Sequence, residues 1–340
     1  MANAVPGTAT CVLALDQGTT SSRAILFDRD GLPLAVAQEE FPQHAREVAG
    51  PDGEDLAIVE HDPEDIWRTQ LSCCRRVLAD ARLPATQVAA IGITNQRETT
   101  ILWERATGRP VAPAIVWQSR VSAPICRRLE AAGNGPEVRR RTGLLLDPYF
   151  SATKIVYLLE TVAGLRDRCT RGEILFGTVD TFLIWRLTGG RVHATDVTNA
   201  SRTLLFDIHE LAWSDELCRL FDVPREILPE VRPSSGFFGE LDPALLGAAL
   251  PVTGCAGDQE AAAFGQGIDE PGDAKTTYGT GAFLMFATGE RLVVSDRGLL
   301  TTPACSTAPP GERPPPRYCL EGSVFVAGAL VSWLRDGLGL

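Results

Sequence analysis

The chain has 340 residues, 44% of them hydrophobic and 22% charged, with a formal net charge of −11 and a pI near 5.0. That length accommodates two domains, and the balance of residues is ordinary for a globular protein. The acidic excess argues against nonspecific nucleic-acid binding, which needs clustered Lys and Arg.

The first apolar run, residues 11–15, ends in Asp16 and the turn Gln17-Gly18-Thr19-Thr20, and a second run at 24–27 follows. Two strands joined in this way form a hairpin whose turn offers backbone N–H groups and the hydroxyls of Thr19, Thr20 and Ser21, a cradle suited to phosphate. Asp16 at its mouth suits a hydrated Mg²⁺, which prefers carboxylate and water. Arg23 adds a planar donor fork for phosphate oxygens. The plain alternative is a hydroxyl-rich hairpin with no ligand.

A third strand is expected at 34–38, and residues 46–56, rich in Gly, Pro and acids, read as an exposed loop. Asp62-Pro63 opens a helix, with Asp62 as N-cap and Pro63 at the first helical position. Trp67, Leu71, Cys74 and Leu78 then recur at helical spacing. Strands are expected at 88–94, 100–103 and 114–117, and strands followed by helices imply an α/β domain with a mixed sheet. Segments 175–176, 180–187 and 202–206 continue that domain, and a Pro-, Gly- and Ser-rich loop covers 228–251. The only short basic run, Arg139-Arg140-Arg141, reads as a solvated helix end.

A second domain starts within 273–288. There Thr276-Thr277-Tyr278-Gly279-Thr280-Gly281-Ala282 reads as strand, Gly-Thr-Gly turn and strand, a second phosphate-type hairpin. Two such hairpins suggest two similar domains facing each other across a nucleotide cleft. Five prolines among residues 309–317 mark a stiff loop, and 323–334 reads as a helix ending near Gly337.

Nine cysteines include the adjacent Cys73 and Cys74 but no C-x-x-C pair, which reads as reduced thiols in a cytosolic protein. Residues 1–10 lack the basic and apolar regions of a signal peptide, and no apolar run reaches membrane-spanning length. Neither a leader nor an anchor is therefore expected.

Six blocks carry a resemblance: 16–23 (Asp-Gln-Gly-Thr-Thr-Ser-Ser-Arg), 92–100 (Gly-Ile-Thr-Asn-Gln-Arg-Glu-Thr-Thr), 114–118 (Ala-Ile-Val-Trp-Gln), 147–151 (Asp-Pro-Tyr-Phe-Ser), 257–259 (Gly-Asp-Gln) and 277–281 (Thr-Tyr-Gly-Thr-Gly). Through them the chain resembles the glycerol kinase family, within the carbohydrate kinases, over residues 11–336. The resemblance implies an α/β, actin-like or ribonuclease H-like two-domain ATPase fold with an incomplete second domain. Residues 1–265 would form an amino-terminal kinase domain with the polyol pocket and first phosphate hairpin. Residues 266–340 would form a partial carboxy-terminal domain with the second hairpin.

The implied reaction is ATP- and Mg²⁺-dependent phosphorylation of glycerol to sn-glycerol 3-phosphate. Arg97, Glu98, Tyr149 and Gln259 supply donors and acceptors for a triol. Trp117 and Phe283 match the aromatic residues of the family's pocket, although core packing alone would explain them. Asp258 is the expected base that accepts the attacking hydroxyl's proton; it also reads as the N-cap of a helix. Thr19, Thr20, Ser21 and Arg23 from one domain and Thr280, Gly281 and Gly328 from the other would hold the nucleotide, with Mg²⁺ near Asp16. No nucleic-acid or membrane partner is expected, and oligomerisation is left open.

Three departures from the family stand out. The family continues past the position of Leu340 with a glycine-rich adenine-binding loop, so this chain is expected to transfer phosphate poorly and to lose the region after Gly267 to proteases. Alternatives are a kinase for another polyol or sugar, or a non-catalytic remnant that keeps the polyol pocket. The loop at 46–58 is longer and more acidic than in relatives. Residues 234–250 hold neither a histidine nor a basic residue, so neither sugar-bisphosphate nor phosphohistidine control is expected.

Overall fold

The computed structural model describes residues 10–279, 281–307, 315–324 and 326–339. Strands β1 (Cys11–Gln17), β2 (Ser21–Phe27) and β3 (Pro33–Glu40) form an antiparallel meander, as the alternating apolar pattern predicts. In β1, Cys11, Leu13, Leu15 and Gln17 point inward while Val12 faces out, the period-2 signature of a strand.

After β3 the structure departs from the sequence reading. Residues 46–56 are not a loop: β4 (His44–Ala49) and β5 (Asp55–His61) pair as an antiparallel hairpin, with Arg46 opposite Ile58 and Val48 opposite Leu56. Its turn closes through Gly50 N–H to Glu54 O at 2.7 Å, and Gly53 takes φ 81°. Leu56 and Ile58 are buried on one face. The acids that suggested a loop sit around the turn, where Arg127 pairs with Asp52 and Glu54.

Helix α1 (Pro63–Ala81) follows. Asp62 caps it by accepting the Glu64 N–H at 2.9 Å, Pro63 is its first residue, and it ends on Arg82 in the left-handed conformation. Such a cap is worth about 1 kcal/mol. Its buried face includes Ile66, Cys73, Cys74 and Val77 and packs on β1, β2 and β3. The helix carries the chain back so that β6 (Val88–Asn95) lies parallel to β1, and the strand Val252–Gly257 then lies parallel to β6. The sheet order is Val252–Gly257, β6, β1, β2, β3.

Register decides where chemistry can happen. Asp16 and Gln17 stand beside Thr94 and Asn95, and these stand beside Ala256 and Gly257. The three parallel strands thus end level, and their following residues emerge together at the carboxyl edge, where open α/β sheets bind ligands.

Two large cores support this edge. One lies between the sheet, α1 and the helix Val179–Leu187, and includes Leu13, Leu26, Ile91, Trp103 and Phe182. The other surrounds the helix Ser151–Thr161 and includes Leu102, Tyr149, Phe150, Ile155 and Phe176.

The strands Ala274–Tyr278, Ala282–Gly289, Tyr318–Val324 and Leu300–Pro303 form a second, antiparallel sheet in that order. The expected helix at 323–334 is shorter. Ser323 and Val324 belong to a strand, paired with Phe283 and Ala282, and the helix spans Gly328–Ser332 before a wider helical turn at Trp333–Gly337. The cross-strand ladder captured the first residues. The loop at 309–317 falls largely outside the described residues. Among the described residues, no helix is long and apolar enough to cross a membrane.

Candidate active site

At the carboxyl edge of the first sheet a cavity of about 280 Å³ opens. It gathers side chains from seven stretches of sequence, Gln43 among them. Thr19 and Thr20 come from the β1–β2 turn, and Gln96, Arg97 and Glu98 follow β6. Trp117 and Tyr149 come from connecting segments, Asp258 and Gln259 open the helix Asp258–Gly265, and Thr277, Gly279, Gly281 and Phe283 come from the second hairpin. All seven residues expected to bind polyol or act on it therefore line one space.

Its two sides differ in chemistry. Trp117 meets Tyr149 edge-on with ring centroids 5.8 Å apart and Phe283 edge-on at 6.3 Å, geometry that suits the ring quadrupoles. The Trp117 indole N–H donates to Thr19 Oγ1 at 3.0 Å, so the aromatic wall is tied to the phosphate-type turn.

The polar side is a buried ion cluster. Arg97 Nη1 donates to Glu260 Oε1 at 2.8 Å and to Glu321 Oε2 at 2.7 Å, and its Nη2 donates to Glu321 Oε1 at 2.9 Å. Arg97 Nε lies 3.4 Å from Asp258 Oδ1 and 3.8 Å from Glu98 Oε1. Arg202 Nε donates to Glu98 Oε1 at 2.6 Å, and its Nη2 donates to Glu321 Oε1 at 3.0 Å. Burial pushes the Glu260 carboxyl up to about 7 despite Arg97. Glu321, equally buried, is held down to about 2 because Arg202 and Arg97 outweigh that burial. Charges this deep persist only when paired.

Asp258 is the cluster's outlet. Its side chain is 41% exposed, toward the cavity it lines. Desolvation raises its pKa, opposed by Arg97 and by the Gln259 side chain. Its Oδ1 accepts the Gln259 N–H at 2.9 Å and its Oδ2 accepts Gln259 Nε2 at 3.1 Å. The expected N-cap role shifts by one residue: Gly257 is the cap and Asp258 is the first helical residue. The cap position is reserved for glycine, since a Cβ on Gly257 would sit 2.6 Å from Arg97 Cδ and 2.7 Å from Glu260 Oε2.

The nucleotide-type residues are more dispersed. Asp16 and Arg23 stand opposite each other in the β1–β2 register, and Arg23 Nε donates to Asp16 Oδ2 at 3.1 Å. Neither they nor Ser21, whose hydroxyl accepts from Gln38 Nε2 at 3.0 Å, line the cavity. Gly328 N–H donates to Gly279 O at 2.9 Å, which seats it against the second turn. Gly281 lines the cavity, and a Cβ there would lie 2.7 Å from Val324 O. Thr280 lies outside the described residues.

Sequence reading missed Glu260, Glu321, Arg202 and Lys275. Lys275 Nζ donates to Gln259 Oε1 at 2.8 Å and so orients that amide. Glu321 carried a signal: it shares strand phase with the buried Cys319, and an acid on the inward phase of a strand needs a partner. Gln43 and Gln118 at the cavity wall were also missed; Gln43 Nε2 donates to Gln118 Oε1 at 3.0 Å.

Among the described residues, Asp180, Asp196 and Cys255 place ligand atoms within 4.8 Å of one another. Their oxygens are already taken: Asp180 by Thr178 and Thr195, Asp196 by Thr198, Asn199 and Ser234. This cluster is a hydrogen-bonded brace.

Residues 11–265 match the model of the FGGY family of carbohydrate kinases, N-terminal domain. The chain belongs to this family. It is 59% identical to the glycerol kinase of Xanthobacter autotrophicus over 327 residues, which is 96% of this chain and 63% of that protein. It is 57% identical to that of Methylobacterium nodulans over 329 residues, 97% of this chain and 63% of that protein. Among solved structures, Plasmodium falciparum glycerol kinase with ADP superposes with a TM-score of 0.87 at 35% identity, covering 99% of this chain and 65% of that one. A Lactobacillus acidophilus gluconate kinase, at 19% identity and a TM-score of 0.82, covers 96% of this chain and 62% of that one and shares the fold. The chain thus spans just under two thirds of the length of these relatives. Its fold is the mixed α/β, actin-like architecture of FGGY kinases.

Proposed function

We propose that this kinase-family chain binds glycerol in the 280 Å³ cavity and belongs to an enzyme that phosphorylates it to sn-glycerol 3-phosphate with ATP. The carrying observation is the meeting of Arg97, Glu98, Tyr149, Asp258 and Gln259 with the Trp117 and Phe283 rings in one small space. A triol has polar groups along one edge and a short carbon backbone along the other, and the two sides of the cavity match them.

In this reading Arg97 and Glu98 fix two hydroxyls, and the ring wall covers the carbon atoms. The hydroxyl to be phosphorylated lies against Asp258, which accepts its proton as the oxygen attacks. Arg97 opposes the desolvation that raises the Asp258 pKa, and Lys275 holds Gln259 beside it. Bound MgATP supplies the phosphoryl group and part of the charge that neutralises the transition state. Thr19, Thr20, Ser21 and Arg23 would face its phosphates from the first hairpin, Thr280 and Gly281 from the second, and Gly328 from the helix start hydrogen-bonded to that second turn. Asp16 fits a hydrated Mg²⁺ because it is a carboxylate, 29% exposed, at the carboxyl end of β1. Arg23, its present partner, would turn to phosphate. The division near residue 265 separates the two hairpins into two units.

We infer a cytoplasmic setting from the nine unpaired cysteines, eight of them buried, which suit a reducing compartment. Calorimetry with glycerol, other polyols and sugars tests the pocket, and a panel of ATP-dependent phosphorylation assays tests the reaction. Glycerol should give the strongest binding and fastest transfer; preference for another polyol would displace it as the substrate.

A further inference from the structure

The segment that carries Arg97 and Glu98 into the cavity is strained. Glu98 has φ 62°, and the Thr99 N–H donates to Arg97 O at 2.7 Å. This is a three-residue turn centred on a residue in the left-handed region, a rare and strained conformation for a side chain of this size. It throws two neighbouring side chains toward the same cavity, which an extended strand would send to opposite faces.

Something must hold it. The Glu98 carbonyl accepts three hydrogen bonds: from Ser151 Oγ at 3.1 Å, Thr100 Oγ1 at 3.2 Å and Lys154 Nζ at 3.1 Å. Lys154 is fully buried. Its Nζ also donates to the Tyr149 carbonyl at 2.5 Å. A single nitrogen thus ties the backbone of Glu98, on the polar side of the cavity, to that of Tyr149, on the aromatic side. Nothing in the proposed phosphoryl transfer uses it, and burying a lysine is costly unless its donors are met.

We propose that Lys154 is a positioning residue that holds the Arg97-Glu98-Thr99 turn in its strained form and so sets the spacing between the two sides of the polyol pocket. The consequence for glycerol rests on the function proposed above; the consequence for the turn does not.

The surroundings give the device a pH dependence. Desolvation lowers the Lys154 pKa to about 7; the Glu98 and Asp147 carboxylates and the Cys126 thiol oppose this, and Arg120 adds to it. The ammonium form, the stronger donor to two carbonyls, therefore dominates below neutrality and gives way to the amine above it.

The test is site-resolved hydrogen exchange on the full chain, comparing wild type with Lys154→Met, Lys154→Arg and Ser151→Ala. Lys154→Met should raise Thr99 amide exchange by about tenfold or more, the equivalent of a charged hydrogen bond, while Leu13 and Ile91 in the sheet stay protected. Lys154→Arg should restore part of the protection. Ser151→Ala, which removes a second donor to the same carbonyl without removing a charge, should act in the same direction with smaller size. If Lys154→Met does not fold, Ser151→Ala and the loss of wild-type Thr99 protection between pH 6 and pH 9, corrected for intrinsic exchange, carry the test. Unchanged Thr99 protection in the folded variants, or no pH effect, overturns the proposal. In parallel, calorimetry should show Lys154→Met binding glycerol about tenfold or more weakly. Wild type that binds no glycerol would end the polyol reading while leaving the Thr99 result to decide the role of Lys154.

Discussion

Arg97 and Glu321 form a two-pronged ion pair, Nη1–Oε2 at 2.7 Å and Nη2–Oε1 at 2.9 Å, that joins the first sheet to the second. Arg97 follows β6, and Glu321 stands in Tyr318–Val324, opposite Met285 and Leu300. Planar fork-to-fork pairing gives direction as well as energy. It makes the orientation of a pocket arginine depend on a strand 224 residues away in sequence.

Removing one partner should therefore cost more than the pair contributes. Glu321→Ala leaves Arg97 and Arg202 buried with too little opposite charge, and we expect about 3–5 kcal/mol of destabilisation. Glu321→Gln keeps the shape and one acceptor and should cost less. Denaturant unfolding of the two variants checks this; an Ala variant as stable as wild type would remove the pair from the fold's support.

Asp258→Asn preserves size and removes the proposed proton acceptor. In a full-length version of the enzyme, the ratio of mutant to wild-type phosphotransfer should fall by ~10²–10⁴ with glycerol affinity retained. Equal rates would exclude Asp258 as the base. Arg97→Ala should instead act on binding, stripping a charged donor from the pocket, and calorimetric titration separates the two effects.

Gly257→Ala would introduce a Cβ 2.6 Å from Arg97 Cδ and 2.8 Å from its Cγ. The guanidinium must then move, so glycerol binding should weaken, and the overpacking should cost about 1–3 kcal/mol. A fully wild-type titration curve and melting temperature would show that the cap position tolerates a side chain.

His61 provides a pH prediction. It is fully buried, stacked edge-on with Phe41 at 5.0 Å, and burial pushes its pKa from 6.5 down to about 4. The unfolded chain then binds the proton more readily than the folded one, so stability is present above pH 6.5 and is lost as pH falls toward 4. The full loss is about 3 kcal/mol. His61→Gln should flatten this part of the stability profile relative to wild type, measured by thermal unfolding between pH 7 and pH 4.

Much of the amino-terminal part was legible because its signals are local. The β1–β2 hairpin, the Asp62 cap and the seven pocket residues rest on period-2 alternation, capping chemistry and short motifs. The hairpin of β4 and β5 was not legible: Gly, Pro and acids at its turn hid the weak alternation of Val48, Leu56 and Ile58. Asp258 lines the cavity but is one position off in its helix, and the clearance that restricts position 257 to glycine comes from Arg97, distant in sequence.

The amino-acid sequence by itself determined the candidates for chemistry: the acid at 258, the Arg97-Glu98 pair and the two phosphate-type turns, with no basic run longer than three residues. The tertiary structure alone decided their electrostatics. Whether a carboxyl is held near 2, as in Glu321, or raised to about 7, as in Glu260, depends on which guanidinium groups reach it after burial. Those groups come from residues 97 and 202, far from 260 and 321 in the chain. Coulomb energy falls with spatial distance and grows as water is excluded, and neither quantity is written in local sequence.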